Sequence, residues 1–265
     1  MLCFPRLFSG AAAQYPVIKR RIQRTAGSRA ADGSVLKLLD PGAERIAWEL
    51  QFSGLSAAER QALESLFEEA EGKLGEFTFL DPTDNLLRWS EDLSRDVWVR
   101  DPLIQLTAGV SDPEGTNTAS RLVNSGAVEQ ALRQTIQGPG GFQYCLSLYV
   151  RSAQPVQATV FAAAGGAEEQ NVVAVTPAWR RVLHSTRLDA TAEAVDFGVV
   201  LAAGASVEFY GMQVEAQPGA SPYRKTLGRS GVHARCRFAD DRLSMTAEGP
   251  EQYSCRVRLA TVESE

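Results

Sequence analysis

The chain has 265 residues, 44% of them hydrophobic, and a formal net charge of −5, which suits one large or two modest globular domains. The charge excludes a strongly basic nucleic-acid-binding surface, and no apolar run reaches the length of a membrane span. We therefore expect neither sequence-specific nucleic-acid binding nor membrane insertion. The scattered cysteines, Cys3, Cys145, Cys236 and Cys255, lack metal-binding spacing, which argues against a zinc site. Cys236 and Cys255 lie on two strand-like runs and could face each other, but buried free thiols are favoured.

The first predicted strand, from Tyr15 to Arg24, has Ile18 and Ile22 among basic residues. Its charged side either contacts a partner in an assembly or is simply solvated. The candidate interface residues are Lys19, Arg20, Arg21 and Arg24. A second short apolar run, residues 35–39, is followed by Asp40-Pro41-Gly42, which predicts a turn.

A clear alternation of apolar and polar residues predicts a strand over residues 45–52. The next segment, Ser56-Ala57-Ala58-Glu59, has the spacing of a capping box and predicts the start of a helix that ends near Gly72. Another short strand, residues 76–80, leads into a turn at Asp81-Pro82.

The character of the sequence changes over residues 86–223, where short strand-like runs recur with turn residues between them. The runs cover residues 144–150, 156–162, 171–175, 179–188, 194–201 and 206–214. This spacing is typical of a β-sandwich or jelly roll. The lysines Lys19, Lys37, Lys73 and Lys225 all lie outside this segment, which also favours an inserted domain.

Two further alternating runs, residues 232–238 and 253–259, follow the insert. A two-stranded hairpin is marginally stable alone, so we expect these strands to pair with the N-terminal sheet. The sequence therefore predicts a discontinuous outer domain, 1–84 and 225–265, and an inserted domain, 85–224. The expected fold class is mainly β, with one helix.

No catalytic motif is present, and His184 and His233 are far apart in strand-like runs. The acidic pairs Asp240-Asp241 and Glu168-Glu169 are adjacent in sequence and do not form the facing carboxylates of acid–base catalysis. We therefore expect no enzymatic activity. No cofactor is expected, although a structural Ca²⁺ near Asp112 or Asp189 is an alternative.

Sugar binding is an alternative for the insert, because such sites need an aromatic ring for stacking and polar groups for the hydroxyls. The candidate residues are Trp98, Tyr149, Trp179 and Tyr210. Packing in the core is the competing interpretation for Trp98 and Trp179.

Several motifs of the insert resemble the carbohydrate-binding-module type of jelly roll found in phage tail and tail-fibre proteins. They include Asn85-Leu86-Leu87 with Ser90-Glu91 and Trp98, residues 113–116 with 119–123, residues 147–152, and residues 179–182. The last are Gly211-Met212-Gln213-Val214-Glu215 and Ser221-Pro222-Tyr223.

The outer part is similar to the phage distal tail and minor tail proteins, including those of gene-transfer agents. The similarity rests on residues 48–52, the helix, residues 75–82 and the terminal strand at 253–258. It implies a tail-tube-like β-sandwich or barrel that assembles into a hexameric ring.

Together these resemblances imply a structural protein of a phage or phage-like tail tip, located in the virion. The ring would join the tail tube protein to the hub or baseplate proteins, with a lumen for DNA, and the jelly roll would contact neighbouring proteins or cell-surface glycans. A stand-alone, lectin-like carbohydrate-binding protein is the alternative. A glycosidase or esterase fragment would need an acid pair or nucleophile that the sequence does not show.

Overall fold

The computed structural model describes residues 1–189 and 191–262, with the backbone alone for Pro41 and Gly42. In chain order the elements are β1 (Val17–Arg29), β2 (Val35–Leu55), α1 (Ala57–Glu69), β3 (Phe77–Leu80), β4 (Val99–Arg100), β5 (Ile104–Val110), β6 (Ala119–Asn124), β7 (Gln130–Gln137), β8 (Tyr144–Arg151), β9 (Val156–Ala164), β10 (Ala167–Val175), β11 (Arg180–Thr186), β12 (Ala194–Leu201), β13 (Ser206–Glu215), β14 (Val232–Phe238), β15 (Met245–Gly249) and β16 (Gln252–Thr261). The prediction of a mainly β chain with one helix is confirmed for the described residues.

The chain divides into two compact units, each of them discontinuous in sequence. Unit 1 comprises Met1–Pro5, Ala13–Phe79 and the chain from His233 onward, and unit 2 comprises Arg6–Ala12 and Leu80–Val232. The last three residues of the predicted outer domain, 263–265, lie outside the described residues.

Unit 1 is built on one sheet with the strand order β1-β2-β16-β14-β3, and β15 pairs with β16. The predicted return of the C-terminal strands is confirmed, because β16 pairs antiparallel with β2 through Val257 and Leu50. Aromatic side chains fill the core, since burial of large rings is the most effective way to remove apolar area from water. The ring of Phe79 lies 5.1 Å from that of Trp48 and 5.5 Å from that of Phe4.

The strand β2 runs through the position of the predicted turn at Asp40-Pro41-Gly42, so that prediction is wrong. The register with β1 jumps from Ile22 paired with Arg45 to Arg24 paired with Asp40. The residues between Asp40 and Arg45 therefore form a bulge opposite Gln23. A bulge tolerates proline because the ladder hydrogen bonds are already interrupted there. β1 and β2 consequently form one long antiparallel ribbon.

The helix α1 begins as predicted with a capping box. Ser56 accepts a hydrogen bond from the Glu59 backbone N–H at 3.3 Å, and the Glu59 carboxylate accepts one from the Ser56 backbone N–H at 2.8 Å. These two bonds satisfy donors that a helix N-terminus leaves without partners. Leu63 and Leu66 form its buried face. Among the described residues, no helix is long and apolar enough to cross a membrane.

Unit 2 is a β-sandwich of jelly-roll type made of two five-stranded antiparallel sheets. Their strand orders are β10-β9-β12-β7-β4 and β11-β8-β13-β6-β5. Alternate residues of each strand point between the sheets, as the two-residue period of a strand requires. Tyr144 on β8 and Phe197 on β12 meet there edge to face, with ring centroids 5.3 Å apart.

The buried Asn85 joins the two ends of the long segment of unit 2, Leu80–Val232, through hydrogen bonds. Its side-chain amide donates to the carbonyls of Met212 at 2.9 Å and Arg224 at 3.3 Å. Its carbonyl oxygen accepts from the backbone N–H groups of Leu87 and Val214, both at 3.0 Å. One asparagine thus uses all of its hydrogen-bonding capacity to join the start of the segment to its last strand and its exit.

Candidate functional site

The candidate site lies on the outer face of the sheet that contains β8 and β13. Along β8, Leu148 and Val150 are buried between the sheets, so Tyr149 lies on the opposite, outer face. Strand pairing places Arg181 of β11 on one side of Tyr149 and Tyr210 of β13 on the other. A row of one arginine and two tyrosines therefore crosses three neighbouring strands.

The tyrosine rings of this face form a contiguous cluster. The centroids of Tyr149 and Tyr210 are 5.8 Å apart, and Tyr210 meets Tyr223 edge to face at 5.3 Å. Both separations lie in the range where aromatic pairs attract each other. Burial raises the pKa of Tyr210 and Tyr223 above the usual tyrosine range.

Two arginines lie over aromatic rings on this side of the sheet, one over Trp179 and one over Tyr149. The guanidinium of Arg151 lies 4.6 Å from the centroid of Trp179, and that of Arg181 lies 5.7 Å from the centroid of Tyr149. These are cation–π distances. Arg181 also donates to the hydroxyl of Ser147 at 2.9 Å. We call this surface the aromatic face, and its residues are Tyr149, Arg151, Trp179, Arg181, Tyr210 and Tyr223.

The structure brings together Tyr149, Trp179 and Tyr210 of the four predicted sugar-binding residues. Tyr149 and Trp179 are partly exposed, whereas Tyr210, which lies between the rings of Tyr149 and Tyr223, is only 4% exposed. Trp98 is also 4% exposed, and its indole N–H donates to the carbonyl of Trp89 at 3.1 Å. The ring of Trp98 is thus packed away from solvent, which agrees with the alternative that it belongs to the core.

A buried carboxylate fixes the arginine that covers Trp179. Glu208 of β13 is 8% exposed and accepts from Arg121 and Arg151, with closest N–O distances of 2.6 Å to each. Arg151 donates further to the carbonyl of Ser111 at 3.1 Å. Burial alone would raise the pKa of Glu208, but the hydrogen bonds from the two arginines outweigh it and the pKa lies below its ordinary value.

This lowered pKa predicts acid sensitivity of unit 2. Below about pH 4.3, the ordinary glutamate pKa, the unfolded chain binds a proton at Glu208 that the folded chain does not. The free energy of unfolding therefore decreases as the pH is lowered, until the pH is below the lowered pKa of the folded chain. We expect Glu208→Gln to cost about 2 kcal/mol at neutral pH and to flatten this dependence, because two charge-assisted contacts are lost. Urea unfolding from about pH 3, where carboxylates titrate, to about pH 7 measures both the loss of stability at neutral pH and the change in its pH dependence. An unchanged slope in E208Q would contradict the assignment.

A β-bulge in β13 positions the tyrosines. The register with β8 shifts between Tyr210 and Gln213. Gly211 in the bulge has a φ of +63°, and a Cβ there would lie 3.2 Å from the ring of Tyr223. Glycine is needed both for this left-handed conformation and for the close approach of the ring. Sequence reasoning did not assign Tyr223 to the site, and its position depends on this bulge.

The two residues considered for a structural Ca²⁺ are engaged by protein donors. Asp112 accepts from the backbone N–H groups of Glu114, Thr116 and Thr118 at 2.9–3.0 Å. Burial opposes ionisation, but these and the threonine hydroxyl bonds outweigh it and hold the pKa of Asp112 well below its usual range. Asp189 accepts from the N–H and hydroxyl of Thr191, both at 2.9 Å. In the described part of the chain, no three His, Cys, Asp or Glu residues form a group that could hold a metal ion.

Four of the residues weighed for catalysis contact neighbouring groups in the fold. Nε2 of His184 lies 3.1 Å from the carbonyl oxygen of Glu169, and the ring of His233 lies 4.7 Å from that of Trp48. Asp240 pairs with Arg258 at 2.7 Å, and Asp241 pairs with Lys73 at 2.8 Å.

Most of the predicted interface cations contact neighbours within unit 1. Arg20 pairs with Glu49 at 3.4 Å, and Nε of Arg24 lies 2.9 Å from Asp40. Lys19 lies 5.9 Å from the centroid of the Trp48 ring. Arg21 is exposed. Their role in assembly stays a prediction.

The sequence matches no protein-family model and no curated protein. Several solved structures share weak similarity with it. A family 61 carbohydrate-binding module in complex with β-1,4-galactotriose has 14% identity and a TM-score of 0.40, over 50% of this chain and 99% of that one. The family 22 xylan-binding domain of Paenibacillus barcinonensis Xyn10C has 13% identity and a TM-score of 0.40, over 52% of this chain and 97% of that one.

The enzymatically active domain of tailspike protein 4 from bacteriophage CBA120 has 12% identity and a TM-score of 0.39, over 49% of this chain and 21% of that one. The jelly-roll assignment of unit 2 rests on its own strand order and packing.

Proposed function

We propose that unit 2 is a non-catalytic glycan-binding module and that the aromatic face is its binding surface. The observation that carries this proposal is the presence of two partly exposed rings, Tyr149 and Trp179, on the same sheet face, each beside an arginine. Sugar rings present C–H groups that pack on aromatic faces, and their hydroxyls accept hydrogen bonds from guanidinium N–H groups. Burial of Tyr210 and the salt bridges of Glu208 hold this surface in place before a ligand arrives.

Binding of the full chain to arrayed neutral and acidic polysaccharides, followed by calorimetric titration of the best ligand, tests the proposal. We expect Tyr149→Ala and Trp179→Ala each to weaken binding about tenfold or more, because truncation of an aromatic anchor typically removes over 1 kcal/mol of binding energy. Phe8→Ala is the matched control, since this aromatic residue is 86% exposed and lies outside the aromatic face. Absence of glycan binding, or equal affinities of all three variants and the parent chain, would refute the proposal.

A second candidate role is that of a structural subunit of a phage or phage-like tail tip, located in the virion and assembled as a ring through unit 1. The specific feature that favours assembly is the outer part of the β1–β2 ribbon, where residues 24–39 are all exposed. In this role the ring would bind the tail tube and hub or baseplate proteins, and unit 2 would bring glycan binding to the tail tip. Self-association of the parent chain, measured by sedimentation velocity over a range of concentrations, tests this role.

A further inference from the structure

The outer part of the β1–β2 ribbon is an arm in which residues 24–39 are all exposed in the described chain. We define the arm as residues 24–40, from the pair Arg24–Asp40 to the pair Arg29–Val35 and the turn beyond it. Among the described strands, β1 pairs with β2 alone, and β16 pairs with β2 from Ala47 to Leu55, outside the arm. A two-stranded ribbon that is exposed on both faces is marginally stable by itself.

The arm nevertheless carries large apolar side chains, which are Val35, Leu36, Leu38 and Leu39, each more than half exposed. Large apolar side chains that are exposed together on one short segment are a mark of an interaction surface. The register divides them between two faces, because directly paired residues share a face and residues two apart along a strand also share it.

One of the two faces is both apolar and basic. Val35 is paired with Arg29, Lys37 with Gly27 and Leu39 with Thr25, so these six residues lie on one side of the ribbon. We call it the basic face of the arm. Arg29 and Lys37 are exposed and form no ion pair with any described residue.

A complementary surface exists at the C-terminal end of α1. Glu68, Glu69 and Glu71 are exposed there, form no ion pair within the described chain, and are followed by Leu74, which is 69% exposed. The last turn of the helix has no basic residue. Because the helix dipole already makes this end negative, a cation from outside would stabilise it. We call this surface the acidic end of α1.

We propose that the basic face of the arm in one copy of the chain docks on the acidic end of α1 in a second copy. Arg29 and Lys37 would meet the glutamates, and Val35 and Leu39 would cover Leu74. The two surfaces are different, so the contact is head-to-tail, and repetition gives a ring if the rotation closes and a filament if it does not. This docking mode rests on the proposed assembly role and specifies the surfaces that would mediate it.

Sedimentation velocity of the full chain over a range of concentrations tests the docking mode through charge reversal. We expect Arg29→Glu with Lys37→Glu, and separately Glu68→Lys with Glu69→Lys, to raise the dissociation constant of self-association about tenfold or more. An equimolar mixture of the two variants should associate again, because each reversed surface then meets an opposite charge. Circular dichroism verifies that both variants are folded. Glu129→Lys with Glu168→Lys is the matched control, with both positions exposed in unit 2.

The outcomes separate the docking mode from the assembly role. A parent chain that stays monomeric at its highest soluble concentration would overturn both. Assembly that is insensitive to both charge reversals, or that the mixture fails to restore, would overturn the docking mode and leave the assembly role in place. Glycan binding by unit 2 is measured separately and does not depend on either result.

Discussion

Replacement of Asn85 by alanine is expected to destabilise unit 2 by about 3 kcal/mol or more, since a buried polar group that loses its partner costs about 1–3 kcal/mol. The substitution would leave the N–H groups of Leu87 and Val214 without acceptors and the carbonyls of Met212 and Arg224 without this donor. Asn85 is fully buried, so water has no direct access to replace it.

Urea unfolding measures this loss, and hydrogen exchange in peptides of β8 and β13 assigns it to unit 2. Asn117→Ala is the control, because Asn117 is exposed and substitutions of this kind usually change stability by about 0.5 kcal/mol or less. Equal midpoints for the two variants would show that the side chain of Asn85 does not hold the segment ends together.

Replacement of Gly198 by alanine is expected to be comparably severe. Gly198 lies in β12, which pairs with β7 on one side and β9 on the other. An added Cβ would lie 2.1 Å from the carbonyl oxygen of Leu132 and 2.9 Å from the ring of Phe161. Strand pairing fixes the carbonyl, so relief requires movement of the ladder itself. We expect a cost of about 3 kcal/mol, the upper end for overpacking.

The soluble yield and the urea midpoint of G198A measure this effect. Gly219→Ala is a matched control because, apart from its chain neighbours, no described residue has a heavy atom within 4 Å of the position that a Cβ would occupy. Its φ is not in the left-handed region. We expect that control to be neutral or slightly stabilising. A G198A chain with the midpoint of the parent would show that the centre of this sheet is looser than its geometry indicates.

Alternation of apolar and polar residues was enough to predict strands such as β12, whose bounds match the predicted run. β7 was missed because two of its inward positions, Gln130 and Gln134, are polar. Gln134 is buried because its amide bonds to both the N–H and the carbonyl of Arg88, 46 residues away. A local pattern cannot reveal such a distant partner.

The candidate site shows the same division. The sequence was enough to predict Tyr149, Trp179 and Tyr210 as aromatic candidates for sugar binding. Their proximity depends on the register between β8 and β13 and on the bulge at Gly211, which bring together residues far apart in the chain. The sequence analysis did not include Arg151, although its position two residues after Tyr149 in one strand is a local signal that the two side chains share a face.

The strand order of unit 1 has a consequence for how the chain is made. β16 lies at the centre of that sheet and follows every described strand of unit 2 in the chain, so it is synthesised after them. On a ribosome, unit 2 has all of its strands while β2 still has an open edge. An open strand edge invites pairing with other nascent chains. The edge of β2 that β16 later covers is therefore exposed to such pairing throughout the synthesis of unit 2.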